Sequence, residues 1–191
     1  MLRIPIAPLL LSTLFILPIT ASAQSTNPAT DMSPTTETKS AKNSLSGSDE
    51  SFFTNAAEAS LAEIEGAKMA QQKSSTSEVK DFAAHMITDH TKVNEELKAL
   101  AAEKGVNLPT EPSLMQKGEL KALSLLDDKF DENYVDRMAV SAHENTIELF
   151  KDTAKDSEDA DIKAFARKTL PALESHLEMA KKLNPTVSKT K

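Results

Sequence analysis

Apolar residues recur at helical spacing in four long segments of this 191-residue chain, and two of the joints between those segments are only a few polar residues long. The first stripe holds Phe53, Ala57, Leu61, Ile64 and Ala67 between about Ser51 and Lys73; the second holds Val79, Phe82, Ala83, Met86, His90, Val93, Leu97 and Leu100. The third, from about Glu132 to Lys155, places Val135, Met138, Ala142, Leu149 and Phe150 on one side. The fourth, from about Asp159 to Leu183, carries Ile162, Phe165, Ala166, Leu173, His176, Leu177 and Ala180. A helix with one apolar stripe must cover it, and links as short as Ser74-Ser75-Thr76-Ser77 and Asp156-Ser157-Glu158 make neighbouring helices double back on each other. The fold class is therefore all-α: an antiparallel four-helix bundle with ferritin-like connectivity, two hairpins joined by one elongated crossover. A solenoid is disfavoured because the two hairpins show no convincing repeat.

Local signals set the helix ends. Ser75 and Glu78 have capping-box spacing at the start of the second helix, and Gly105 stops it. In the crossover, Ser113 can cap a short extra helix containing Leu120, Leu123 and Leu126, and Asp131 can cap the third long helix. Pro171 lies inside the fourth and is expected to kink or interrupt it.

The N-terminus reads as an export signal. Met1-Leu2-Arg3 precedes an apolar run from Leu9 to Leu17, and Ala21-Ser22-Ala23 offers a cleavage site before Gln24. The run is broken by Pro18 and falls short of the roughly 20 residues that a membrane-spanning helix needs, so no transmembrane segment is expected after cleavage. The predicted organisation is a signal peptide over 1–23, a disordered Ser/Thr-rich tether over 24–49, the bundle over 50–184 and a disordered tail over 185–191. The mature protein is expected in the periplasm or outside the cell. With no cysteine, it has neither a disulfide framework nor a lipid-modified N-terminus. Cleavage would leave 21 basic residues against 29 acidic ones, a balance that argues against nucleic acid or anionic lipid as a partner. A protein partner and the oligomeric state cannot be read from the chain.

His90 and His176 fall within apolar stripes, where an imidazole needs a partner to satisfy it. Dinuclear carboxylate bundles take two Glu-x-x-His pairs, and this chain has none: Phe82, Ile87, Val140 and Leu173 stand three residues before its four histidines. Any shared site must therefore be assembled between helices. Counting from the hairpin turns puts Glu63, His90 and His143 at one level and His176 about 7 Å away along the bundle. His143, at the flank of its stripe, is expected to face solvent. His85 and Asp89 have the spacing of a surface pair, and Asp89 can alternatively orient a histidine of a neighbouring helix. Met86 with His90 and His176 with Met179 offer thioether and imidazole together, a combination that suits Cu(I), although methionine at such spacing usually fills core. Tyr134, the only tyrosine, reads as an anchor at the start of its helix. No nucleophile elbow, phosphate-binding glycine loop or His-Glu-x-x-His occurs, so hydrolase and nucleotide-dependent chemistry lack support.

The segments Ala62-Glu63-Ile64, Val79-Lys80-Asp81-Phe82-Ala83, Asp89-His90, Phe130-Asp131-Glu132-Asn133-Tyr134, His143 and Leu170-Pro171-Ala172-Leu173-Glu174-Ser175-His176-Leu177 resemble the bacterial domain-of-unknown-function family 4142. The resemblance implies a ferritin-like bundle, usually exported, with no settled biochemical role, and draws attention to Glu63, Asp89, His90, His143 and His176. The favoured expectation is a non-enzymatic envelope or stress-related binding module without a cofactor, its histidines fixing the core. The alternative is a protein that binds iron, copper or zinc through Glu63, His90, His143 and His176, with Asp89 supporting a ligand.

Overall fold

The computed structural model describes residues 45–187, and every regular element among them is helical. The signal peptide expected over 1–23, the tether through residue 44 and the tail from residue 188 lie outside the described residues.

Helix α1 spans Gly47–Lys73 and α2 spans Ser77–Lys104. The first starts before the expected Ser51 because Ser46 caps it, its hydroxyl accepting from the Asp49 amide at 3.1 Å and donating to the Asp49 carboxylate at 2.8 Å. Residues 47–49 thus belong to the bundle rather than to a tether, and Asp49 is buried. The predicted Ser75/Glu78 capping box does not form. Thr76 is the N-cap residue, without a side-chain cap bond, while the Ser75 amide and hydroxyl donate to Asp131 at 3.1 and 2.8 Å. A carboxylate is the stronger acceptor, so Asp131 ties the α1–α2 turn to the second hairpin instead of capping its own helix. Gly105 closes α2 at φ 73°, in the left-handed region.

The crossover holds α3, Leu114–Ser124, with the expected Ser113 cap completed into a capping box by Gln116. Leu120 and Leu123 are its buried residues, and Leu126 lies just beyond it, partly buried. The third long segment is divided into α4, Phe130–Asn133, a π-helical stretch, Tyr134–Ser141, and α5, Ala142–Asp156. Helix α6, Ala160–Val187, outruns the expected end at Leu183 and is not interrupted at Pro171. That proline sits on an exposed face beside Arg167, Lys168 and Ala172, where solvent can satisfy the carbonyl that its missing N–H leaves unpaired.

The π-helical stretch corrects the third stripe. It adds one residue to a turn and so rotates the residues beyond it by about 100° relative to a regular helix. Val135, Met138 and Phe150 face inward as expected, but Ala139, His143, Thr146 and Ile147 are buried as well, and the expected Ala142 and Leu149 are only half-buried.

Two separate apolar clusters fill the interior. One gathers Phe52, Phe53, Leu97, Ile147, Phe150, Ile162 and Phe165, with Phe52 and Phe150 edge to face at 5.1 Å. The other gathers Val79, Phe82, Met86, Leu123, Phe130, Tyr134, Val135 and Met138, with Tyr134 stacked on Phe130 at 6.0 Å. Each such side chain contributes roughly 1.5–3 kcal/mol by leaving water. Chain direction follows from their order: α1 and α6 meet the phenylalanine cluster first, whereas α2 and the third segment meet it second. Hence α1 and α2 are antiparallel, α5 and α6 are antiparallel, and the crossover joins two segments running the same way. The contacts of α2 with α6 and of α1 with α5 close the ring.

Candidate metal centre

Each long helix brings one buried ionisable side chain to the boundary between the two clusters: Glu63 on α1, His90 on α2, His143 on α5 and His176 on α6, exposed by 4%, 2%, 1% and 2%. The Glu63 carboxylate faces two imidazoles, with Oε2 3.0 Å from His90 Nδ1 and Oε1 3.6 Å from His143 Nδ1. On the far side of those rings, the two Nε2 atoms stand 3.3 Å apart. The His176 ring is centred 5.2 Å from that of His90 and 5.5 Å from that of His143. One nitrogen of each of the three histidines lies within 4.8 Å of the others.

Two sequence expectations give way to this geometry. His143 is among the most deeply buried side chains of the protein, because the π-helical turn rotates it inward from the flank of its stripe. His176 belongs to the same layer as the other three. Side chains lean toward the N-terminus of their own helix, so on antiparallel helices His143 leans away from the hairpin turn and His176 toward it. A count of backbone positions overstates their separation for that reason.

Carboxylates hold the other faces of the rings. The Asp89 Oδ2 lies 3.0 Å from His176 Nε2 and 3.3 Å from His85 Nε2, so it makes both the surface pair and the support for a neighbouring histidine that its position allowed. Ser60, a turn before Glu63 on the same face of α1, donates to the His90 backbone carbonyl at 3.2 Å and pins α1 to α2 at this level. Met86 is core and Met179 packs against the same cluster, which accounts for both as gap-filling side chains.

Burial and neighbouring charges pull the titrating groups of this layer in opposite directions. Burial alone would raise the Glu63 pKa, but the charges of His90, His143 and His176 prevail and hold it at about 2. Burial pushes His90 down, yet the adjacent Glu63 outweighs it and the imidazole is raised above its usual range. Burial lowers His143 and brings His176 to about 4, the Glu63 and Asp89 carboxylates only partly opposing it. Both Glu63 oxygens, His143 Nδ1 and His176 Nδ1 are nevertheless buried without a well-aligned hydrogen-bond partner. A buried polar atom with no partner costs about 1–3 kcal/mol, so this layer, held by close but imperfectly aligned contacts, is satisfied only in part.

A cleft of about 720 Å³ between α1, α3 and the third segment reaches Glu63 from outside, lined among others by Glu58, Glu119, Arg137, Met138 and Thr146.

Known proteins are similar to this chain. The family described as Domain of unknown function (DUF4142) matches residues 34–183. Among solved structures, a DUF305 fragment from Deinococcus radiodurans is similar in fold, with a TM-score of 0.65 and 11% sequence identity over 74% of this chain and 98% of that one. No match was found among curated proteins.

Proposed function

Because the chain belongs to the family described as Domain of unknown function (DUF4142), a description that assigns no chemistry, we propose a function from the site itself: the protein binds one divalent transition-metal ion between His90, His143 and His176. The observation that carries this reading is the facing pair of Nε2 atoms at 3.3 Å, with a carboxylate against the opposite nitrogen of each ring. Two nitrogens bound tetrahedrally to zinc at about 2.0–2.1 Å would stand about 3.3–3.4 Å apart. Glu63 faces the Nδ1 atoms of His90 and His143, so it orients ligands rather than joining them, as carboxylates behind metal-bound histidines do. Asp89 does the same for His176 through Nε2, which leaves Nδ1 as the ligating atom.

Three imidazoles and no thiolate suit zinc first, then Fe²⁺ or copper. The nearly complete burial of the ligands favours holding the ion over turning over large substrates. The proposed setting is outside the cytoplasm, in keeping with the leader predicted over 1–23, where such a protein would sequester or buffer metal.

Metal analysis of untagged protein, together with Zn²⁺ titration of the metal-free form, tests the reading. One equivalent of metal is expected, with a melting temperature that rises with Zn²⁺ by mass action. His143→Ala should abolish the rise, and Glu63→Gln should weaken the affinity by about 10–100-fold. Protein that holds no stoichiometric metal and does not respond to Zn²⁺ would overturn the proposal.

A further inference from the structure

His176 presents a nitrogen to each of two clusters. Its Nδ1 is buried on the side of His90 and His143, and its Nε2 meets Asp89 Oδ2 at 3.0 Å, the oxygen that also lies 3.3 Å from His85 Nε2. His85, Asp89 and His176 thereby bring two imidazoles and a carboxylate to within 4.8 Å of one another, a donor set that takes divalent metals with coordination positions to spare. The two clusters differ in access. The side chains of His85 and Asp89, one turn apart on α2, are 51% and 34% exposed, whereas those of His90, His143 and His176 are exposed by 3% or less.

We propose that His85, Asp89 and His176 form a solvent-facing loading site for the buried centre, and that His176 passes the ion inward by changing which of its nitrogens coordinates it. The proposal rests on the metal-binding reading above. A neutral imidazole has one lone pair and one N–H. His176 therefore ligates through Nε2, with the proton on Nδ1, while the ion is outside, and through Nδ1, with the proton on Nε2, once it is inside. The Nε2–H then donates to Asp89 across the 3.0 Å contact already present. Asp89, with solvent beside it, supplies the proton that Nε2 gains, and the arriving ion displaces the Nδ1 proton to solvent, so the ring neither gains nor loses a proton overall. Because one ring serves both positions, a single ion resides in the protein at rest. The cleft on the opposite side is the competing route, but it ends at Glu63, against the Nδ1 atoms of His90 and His143 and away from their facing Nε2 atoms.

Stopped-flow loading of the metal-free full-length protein with Zn²⁺, and unloading into a chromophoric chelator, tests the route. A group that only assists passage lowers the barrier equally in both directions. His85→Ala, a change at an exposed position, is therefore expected to slow loading and unloading together, each at least ten-fold, with Kd unchanged and one equivalent still bound. Rates equal to wild type would overturn the proposal. So would a weakened Kd, which would tie His85 to the resting site, as a ligand or through Asp89, and so would slowing by Glu58→Gln with Glu119→Gln in place of His85→Ala. Wild-type protein that binds no Zn²⁺ would remove the metal-binding reading itself and this route with it, an outcome distinct from the other three.

Discussion

At the scale of single residues, the buried layer makes stability depend on pH in a direction that can be worked out. His176 falls from an ordinary 6.5 to about 4 in the folded protein, so between those values the unfolded chain binds more protons and stability rises with pH. Its contribution is complete above 6.5 and lost as the pH drops toward 4, on the order of 3 kcal/mol. His143 is shifted in the same direction. Glu63, taken from 4.5 to about 2, adds a second loss on acidification over that lower range. His90 opposes them, because a raised pKa stabilises the fold at low pH and stops doing so as the pH climbs through its folded value. Because the His90 contribution changes only above 6.5, it does not offset the other two below that value, and the urea midpoint of the metal-free protein should fall from pH 6.5 to 4 and keep falling at lower pH as Glu63 is protonated. His176→Gln should flatten the upper part of that curve; an unchanged slope would mean that His176 titrates normally.

At the scale of helices, the π-helical stretch decides what reaches the centre. Removing Arg137, an exposed residue within it, would restore ordinary helical phasing across Tyr134–Ser141. Either His143 or the Tyr134–Val135 pair must then rotate off the interior by about 100°. The expected result is a loss of more than about 2 kcal/mol in stability together with loss of Zn²⁺ binding, read by denaturant unfolding and titration; wild-type stability with intact binding would show that the extra residue has no such role. This stretch also marks where sequence reading stops. The stripes of α1, α2 and α6, the Ser113 cap and the Gly105 stop are all legible, because periodicity and capping are local properties. His90 stood out as a polar residue in an apolar stripe. His143 did not, since nothing local in Tyr134-Val135-Asp136-Arg137-Met138-Ala139-Val140-Ser141 announces an extra residue in the turn, and the stripe beyond it pointed to Ala142 and Leu149 where His143, Thr146 and Ile147 are buried. Asp131 escaped for a different reason: its choice between capping its own helix and holding Ser75 is settled by tertiary approach.

At the scale of the whole molecule, the fold is fixed by stripes, link lengths and chain direction, which is consistent with a similar fold in a DUF305 fragment at 11% identity. The interior itself is discontinuous: apolar clusters lie on either side, and Glu63, His90, His143 and His176 stand between them on all four long helices. That polar waist bears on how the protein comes apart. Two hydrophobic bodies separated by an imperfectly satisfied layer need not lose their structure in one all-or-none step, whereas an ion ligated from α2, α5 and α6 would oblige them to unfold together. The chain carries its own reporter, because Tyr134 is the only tyrosine, tryptophan is absent, and the ring sits in just one of the clusters. Without metal, tyrosine fluorescence and helical circular dichroism should give different midpoints, and Zn²⁺ should bring the two curves together. Coincident curves before metal is added would mean that the helices alone carry cooperativity across the waist. If the curves merge only with Zn²⁺, the ion's principal effect on this protein is to turn two melting units into one.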